Sequence, residues 1–524
     1  MIDVITPQRV RIELKAKREI AFLDLREEAL FAQGHPLFAA QLALGRIELE
    51  ILDRVPRQDT LVVLYDDGDG LVERGVATLQ KLGYSNLRVL AGGLKGWSEA
   101  RFELFQDVNS YSKAFGELVE HHRRTPSLSA QEVEALLDGG REVAILDARP
   151  FDEYSVMNIP TSVNVPGGEL VLRARELAPD PETPIIVNCA GRTRSLIGAQ
   201  SLINAGVPNP VVALRNGTIG WTLAGQKLEQ GQSRTFKPGP PGSLEEARAG
   251  ASQVSYRCGV RTLDLCEART LAEDVGRTLY NFDVRSAAEY AEGHIPGFRN
   301  APGGQLVQEV DVYAPVRGAR IVVFDHLSVR ADMTASWLAQ LGWEAYVLDA
   351  PISACTEAGP WRPRLPDLPS APTITAANLA LRIEADDVTV VDFATSREHR
   401  RGHVPGAWFA IRARLREALD PLPEGRTLVF LSPDGSLAQL AAADAAALTS
   451  ATVLVLSGGT KEWIETGRPL EPELLRMASP PEDVYRRPYE GTEHSQAAMQ
   501  AYLDWEFGLV EQLRRDGTHG FFVI

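Results

Sequence analysis

Short apolar runs rich in Val, Ile and Leu recur along the whole chain and alternate with longer stretches of helical period. Four of these runs close on an aspartate: AFLDLR at 21–26, VAILDAR at 143–149, YNFDVR at 280–285 and VTVVDFA at 388–394. The aspartates, Asp24, Asp147, Asp283 and Asp392, lie 123, 136 and 109 residues apart, spacings of small domains rather than of solenoid modules. Each is followed by a second apolar run that opens into a polar loop and an Ala/Leu-rich helical stretch: LVVLYDDGDG from 61, PIIVNCAGRTRS from 184, RIVVFDHLSVR from 320 and LVFLSPDGS from 428. A third run then leads to Gly-Trp or Glu-Trp, ending at Trp97, Trp221 and Trp463; the third copy has Cys355 near that place and Trp361 beyond it. Strands alternating with helices at this interval predict parallel sheets covered on both faces, and near-continuous apolar strands are what such burial requires.

The Pro-dense segments KPGPPGS at 237–243 and PWRPRLPDLPSAPT at 360–373 read as linkers, and FGELVEHHRR at 115–124 as a helical join. The expected division is 1–107, 108–236, 244–360 and 373–470, with a tail over 471–524. The expected fold class is therefore α/β: four tandem copies of one domain, each a parallel sheet flanked by helices, plus a helical C-terminal tail. In that tail, after SPPEDVYRRPYEG at 479–491, Met499, Leu503, Phe507 and Val510 repeat near helical period. They predict one amphipathic helix packed on a neighbouring domain, and Asp504, Glu506 and Glu511 around it argue against membrane contact.

Composition narrows the partners. A chain of 524 residues with 54 Lys+Arg against 70 Asp+Glu carries a formal charge of −16, which disfavours nucleic acid and anionic lipid. No stretch has the apolar length of a membrane span, and Met1–Leu14 does not resemble a signal peptide, so a cytoplasmic protein is expected. The four cysteines, Cys189, Cys258, Cys266 and Cys355, are too few and scattered for a disulfide framework and read as reduced thiols.

One of them stands where chemistry is expected. Ligands bind beyond the carboxyl ends of parallel strands, and there the strand Ile185-Ile186-Val187-Asn188 delivers Cys189-Ala190-Gly191-Arg192-Thr193-Arg194, with Ser195 opening the next helix. Backbone N–H groups, a helix N-terminus and two guanidinium groups all favour a thiolate, and the same donors would hold an oxyanion against it. The competing expectation is an inert core thiol, since free Cys is among the most buried residue types; two arginines within five residues weigh against it. Cys258, Cys266 and Cys355 do not follow a strand into an arginine-bearing loop, and packing is their expected role.

The repeat resembles the rhodanese domain, the sulfurtransferase module, and the chain resembles bacterial proteins with four such modules in tandem. Asp147-Ala148-Arg149, Glu153-Tyr154, the loop from Cys189 and Gly220-Trp221 carry the likeness in copy two; Gly293-His294-Ile295-Pro296-Gly297 and Gly402-His403-Val404-Pro405-Gly406 carry it in copies three and four. Copy two departs with Asn158-Ile159-Pro160, where the family has Gly-His-Ile-Pro. The resemblance implies a double displacement in which Cys189 takes sulfane sulfur from thiosulfate or a related persulfide, becomes a persulfide, and passes sulfur to cyanide or a thiol. It implies no cofactor and no metal. Ala190, Gly191, Arg192, Thr193, Arg194 and Ser195 would bind the anionic donor, and Asp147 with Arg149 would brace the loop. Four residues between Cys189 and Arg194 suit sulfur better than the five of related phosphatases. A scaffold or polysulfide sensor using the same thiol is the alternative, and a second copy of the chain or a sulfur-metabolism protein remains open as a partner.

Counting back from the Gly after each helix puts Asp66 and Asp325 at the nucleophile position of copies one and three; in copy four the count falls beside Ser432. None is a thiol, so three copies are expected to be inactive. Copy three keeps Arg330 five residues after Asp325, as Arg194 follows Cys189.

Overall fold

The computed structural model describes residues 3–490 and 495–524; Met1 and Ile2 of the first segment and Gly491 of the Pro-bearing stretch lie outside the described residues. Each sequence repeat forms its own sheet. In copy two the strands lie in the order Ser127–Leu128, Val211–Leu214, Ile185–Asn188, Ala144–Asp147 and Val163–Asn164, all parallel. The same order recurs in the other copies. It sets the aspartate strand beside the strand that leads into the polar loop, with Asp147 in register with Asn188 and Asp283 with Phe324. Every residue of Ile185–Asn188 is buried, as an apolar strand covered on both faces requires.

The recurring tryptophans close each unit. Trp97, Trp221 and Trp463 are buried, and their indole N–H groups donate to the carbonyls of Glu103, Lys227 and Pro469 at 3.0, 2.9 and 2.9 Å. Copy three has only the short turn Ile352–Ala354 where the others carry this last helix, which explains its missing Gly-Trp.

The four units pair in a nested fashion that their order does not announce. Copies two and three meet through Gly167-Gly168 and Gly303-Gly304, so close that a β-carbon on Gly168 would lie 3.0 Å from the backbone nitrogen of Gly304. Arg330 crosses this interface to Glu169 at 2.8 Å, and Trp337 donates to Ser201 Oγ at 2.8 Å. Copies one and four meet through the equivalent segments: Arg412 donates to Gly45 O at 3.0 Å and forks onto Glu48 at 2.8 and 2.9 Å. Copy three also lends a strand, Val316–Arg317, antiparallel to Ile20–Ala21 of copy one.

The tail differs from expectation. It forms two helices, Gln496–Phe507 and Leu509–Asp516, broken at Gly508. The first buries Met499, Tyr502, Leu503 and Glu506, while Phe507, expected on the apolar face, is 53% exposed. It packs, as expected, on neighbouring domains: Met499, Tyr502 and Leu503 join Ala190 and Ile219 of copy two, and Leu509 and Leu513 join the core around copy one. No helix of the described residues is long and apolar enough to cross a membrane.

Candidate active site

Cys189 is the first residue after the strand Ile185–Asn188, and the helix Thr193–Asn204 begins four residues later. The strand anchors it from behind. Asn188 Nδ2 donates to Asp147 Oδ2 at 2.8 Å, and Asp147 is held in turn by the Arg149 fork at 2.9 and 2.7 Å. Arg149 also reaches Met157 O at 2.7 Å, so the Asp147–Arg149 pair ties the strand end to the next turn. The same pair recurs as Asp24–Arg26 and Asp283–Arg285; copy four has Ala394 instead, and His399 Nδ1 meets Asp392 at 2.7 Å. Asn158 donates to Tyr154 O as His294 and His403 contact the carbonyl four residues before them, which explains why copy two tolerates the change.

The loop is fixed from its front as well. Thr218 and Ile219 donate to the carbonyls of Cys189 and Ala190 at 2.9 and 3.0 Å. Gly217 makes this approach with φ +53°; a β-carbon there would lie 2.3 Å from Cys189 O. Gly93 and Gly459 press on Asp66 O and Ser432 O in the same way. The sequence carries a signal for this contact in the glycine four residues before each of Trp97, Trp221 and Trp463.

The sibling copies reveal what the loop holds. In copy one, Asp66 accepts from the backbone N–H groups of Gly68, Leu71 and Val72 at 3.0, 2.8 and 3.1 Å. In copy three, Asp325 accepts from Leu327, Val329 and Arg330 at 3.2, 3.2 and 2.9 Å, and from the Arg330 guanidinium at 2.8 Å. Each carboxylate fills the amide cradle with its own negative charge. The equivalent groups in copy two are those of Gly191, Thr193, Arg194 and Ser195, and the residue at the carboxylate position is the thiol. Ser432 of copy four follows its strand directly and accepts from Ala438 N at 3.2 Å, the group that corresponds to Val72 N of copy one.

Two expectations about charge need correction. Cys189 is 1% exposed, and burial pushes its thiol above the usual range, against the pull of Arg194 and of hydrogen bonding with Ser195. Its Sγ lies 3.5 Å from Ser195 Oγ. Arg192 does not face the cradle: it forks onto Glu117 at 2.7 and 2.9 Å, meets Glu120, and stacks on Phe507 at 4.3 Å. Arg194 is the cation that bears on the thiol, oriented by a fork onto Glu153 at 2.8 and 2.9 Å. Burial would raise the Glu153 carboxyl, but Arg194 overrides it and holds the group at about 2.

Ala190 is buried against the tail, where Tyr502, Tyr489 and Glu506 stand. Thr193 and Arg194 also form part of the wall of a largely apolar cavity of about 670 Å³ between copies two and three. The remaining cysteines are unbridged. Cys355 packs beside Arg285, and burial raises Cys258 to about 11, but Cys266 is exposed on a capped helix, contrary to the packing expected of it.

A model of the rhodanese-like domain matches residues 6–100, 129–224, 267–358 and 375–466. Over its whole length the chain is similar to a thiosulfate sulfurtransferase of Pseudomonas aeruginosa, with 54% identity, a TM-score of 0.96 and 100% of both chains covered. Shorter likenesses join it to a putative sulfur carrier protein of Bacillus subtilis, 29% identical over 123 residues (21% of this chain, 65% of the other), and to an HTH-type transcriptional regulator of Mycobacterium tuberculosis, 32% identical over 90 residues (17% and 39%). The chain thus spans less than two thirds of the length of these last two relatives. With four matched segments covering most of its residues, the chain belongs to the rhodanese-like domain family.

Proposed function

We propose that this sulfurtransferase works through a persulfide on Cys189 in copy two, with thiosulfate or a related persulfide as donor and cyanide or a thiol as acceptor. The observation that carries this reading is the amide cradle that holds a carboxylate in copies one and three and faces a thiol in copy two. An oxyanion bound there would sit against the sulfur, with Arg194 as the nearest guanidinium and the loop N–H groups as donors to the leaving group.

In the first half-reaction the Cys189 thiolate attacks the outer sulfur of thiosulfate. A new S–S bond forms, the donor S–S bond breaks, and sulfite leaves with its electron pair. Because burial opposes ionisation of Cys189, Arg194 and the Ser195 hydrogen bonds are what stabilise the thiolate once its proton is lost. In the second half-reaction the acceptor attacks the terminal sulfur; thiocyanate or a small persulfide departs and the thiolate returns. Copies one, three and four, with Asp66, Asp325 and Ser432 at the position, take no part in transfer and serve as support.

The thiosulfate identity of the full-length relative and the charged loop favour these donors over uncharged ones. A sensor role would use the same buried thiol, and turnover with thiosulfate and an acceptor separates the two readings. Thiosulfate-dependent thiocyanate formation by the purified chain tests the proposal: it is expected in the natural chain and lost below detection in Cys189→Ser. Retention of turnover by that variant would overturn the assignment.

A further inference from the structure

The carboxyl of Glu506 reaches the catalytic loop from the far end of the chain. It lies on the helix Gln496–Phe507 and is 1% exposed. Its Oε1 accepts from the Tyr502 hydroxyl at 3.2 Å, while Oε2 is buried with no hydrogen-bond partner among the described residues. A β-carbon on Gly191 would stand 3.2 Å from that Oε2 and 3.3 Å from the Tyr502 ring. The orphaned oxygen is therefore aimed at the backbone of the loop, at the residue equivalent to Gly68 and Leu327, whose N–H groups bind the carboxylates of copies one and three.

A buried polar atom with no partner is costly and calls for one. A carboxylate beside an anion-binding loop would also repel the anion that the loop is built to take. Both difficulties disappear if the group carries a proton and the bound donor supplies the acceptor. We propose that Glu506 is a specificity-determining acid of the site: protonated, it offers its Oε2–H to the oxyanion of the sulfur donor, and ionised, it excludes anions from the loop. This rests on the reading of Cys189 as the nucleophile.

The surroundings agree. Burial, joined by the negative Glu117 and Asp107, lifts the Glu506 carboxyl to about 8, against the opposing charges of Lys113 and Arg192. Tyr489 and Tyr502 face it as neutral phenols, both pushed up by burial, and Glu506 in turn raises the Cys189 thiol. Lys113, paired with Asp107 at 2.8 Å and lying over the Tyr502 ring, is itself lowered by burial. The sign follows: Glu506 is neutral and admits anions below this range, and becomes a carboxylate as pH rises through it. Loss of the Lys113 proton would act in the same direction, so the two must be told apart by substitution.

The test compares alkylation of Cys189 by iodoacetate, an anion, with alkylation by iodoacetamide, its neutral analogue, using the full chain. Ionisation of the thiol affects both rates alike, so their ratio isolates the response to charge. The ratio is expected to fall about threefold or more between pH 7 and pH 9, within the roughly tenfold change in the protonated fraction that a group near 8 allows. In Glu506→Gln, which keeps the shape and leaves Lys113 in place, the ratio should stay level. A ratio independent of pH in the natural chain would overturn the proposal even if the variant failed to fold. So would an unchanged fall in Glu506→Gln, or failure of Cys189 to react with either reagent. The readout needs no sulfur transfer, so failure of the Cys189 persulfide reading would show separately, as absent turnover with thiosulfate.

Discussion

Arg194 and Arg330 occupy the same position in copies two and three, and their different partners separate the cysteine loop from one filled by a carboxylate. Arg194 spends its fork on Glu153 and leaves its field on the thiol, whereas Arg330 meets Asp325, Glu289 and Glu169 at once. Replacing Arg194 by Ala should therefore slow persulfide formation at neutral pH by about tenfold, the worth of a charge-assisted contact; an unchanged stopped-flow rate would contradict its role. Replacing Arg330 by Ala strands the buried carboxylates of Asp325 and Glu169 and frees the partly exposed Glu289. It should cost about 3–5 kcal/mol, read as a lower denaturant midpoint. The cysteine loop was legible in the sequence because strand, thiol, arginine and helix start follow one another within a dozen residues. The direction of Arg192 was not, since Glu117 and Glu120 that capture it lie 75 and 72 residues away in the chain.

At the scale of elements, the tail is the part that sequence pattern misjudged. Periodicity found a helix and its packing role, but not the break at Gly508 or the face that turns inward. Glu506, one of three acidic residues that argued against membrane contact, is among the most buried groups of the site. No local signal marks it, because its burial depends on a loop more than 300 residues earlier. Tyr502 and Tyr489, 5.4 Å apart between ring centroids, press this helix onto Ala190. Truncating Tyr502 to Ala should open the cover and raise the iodoacetamide rate at Cys189 by severalfold, with little change at the already exposed Cys266. An unchanged ratio between the two thiols would mean that the tail does not limit access.

For the whole molecule, the repeat of strand, aspartate and loop made four α/β units legible, because each unit's pattern is local to its own hundred residues. The nested pairing of one with four and two with three was not legible, since it depends on surface glycines and long-range ion pairs that carry no periodicity. The pairing gives the copies without a cysteine at this position a physical role: copy three forms one wall beside the Cys189 loop, and copies one and four anchor the segments that lead to the tail. Four copies of one cradle, only one with a sulfur atom at its centre, constitute the central claim. The most direct measurement is the intact mass of the chain after brief treatment with thiosulfate and removal of excess donor, followed by peptide mapping. The account predicts a gain of one sulfur atom per chain, located on Cys189, discharged by cyanide and absent from Cys189→Ser. A stable gain on Cys258, Cys266 or Cys355 instead, or no gain on a chain that still turns over, would contradict it.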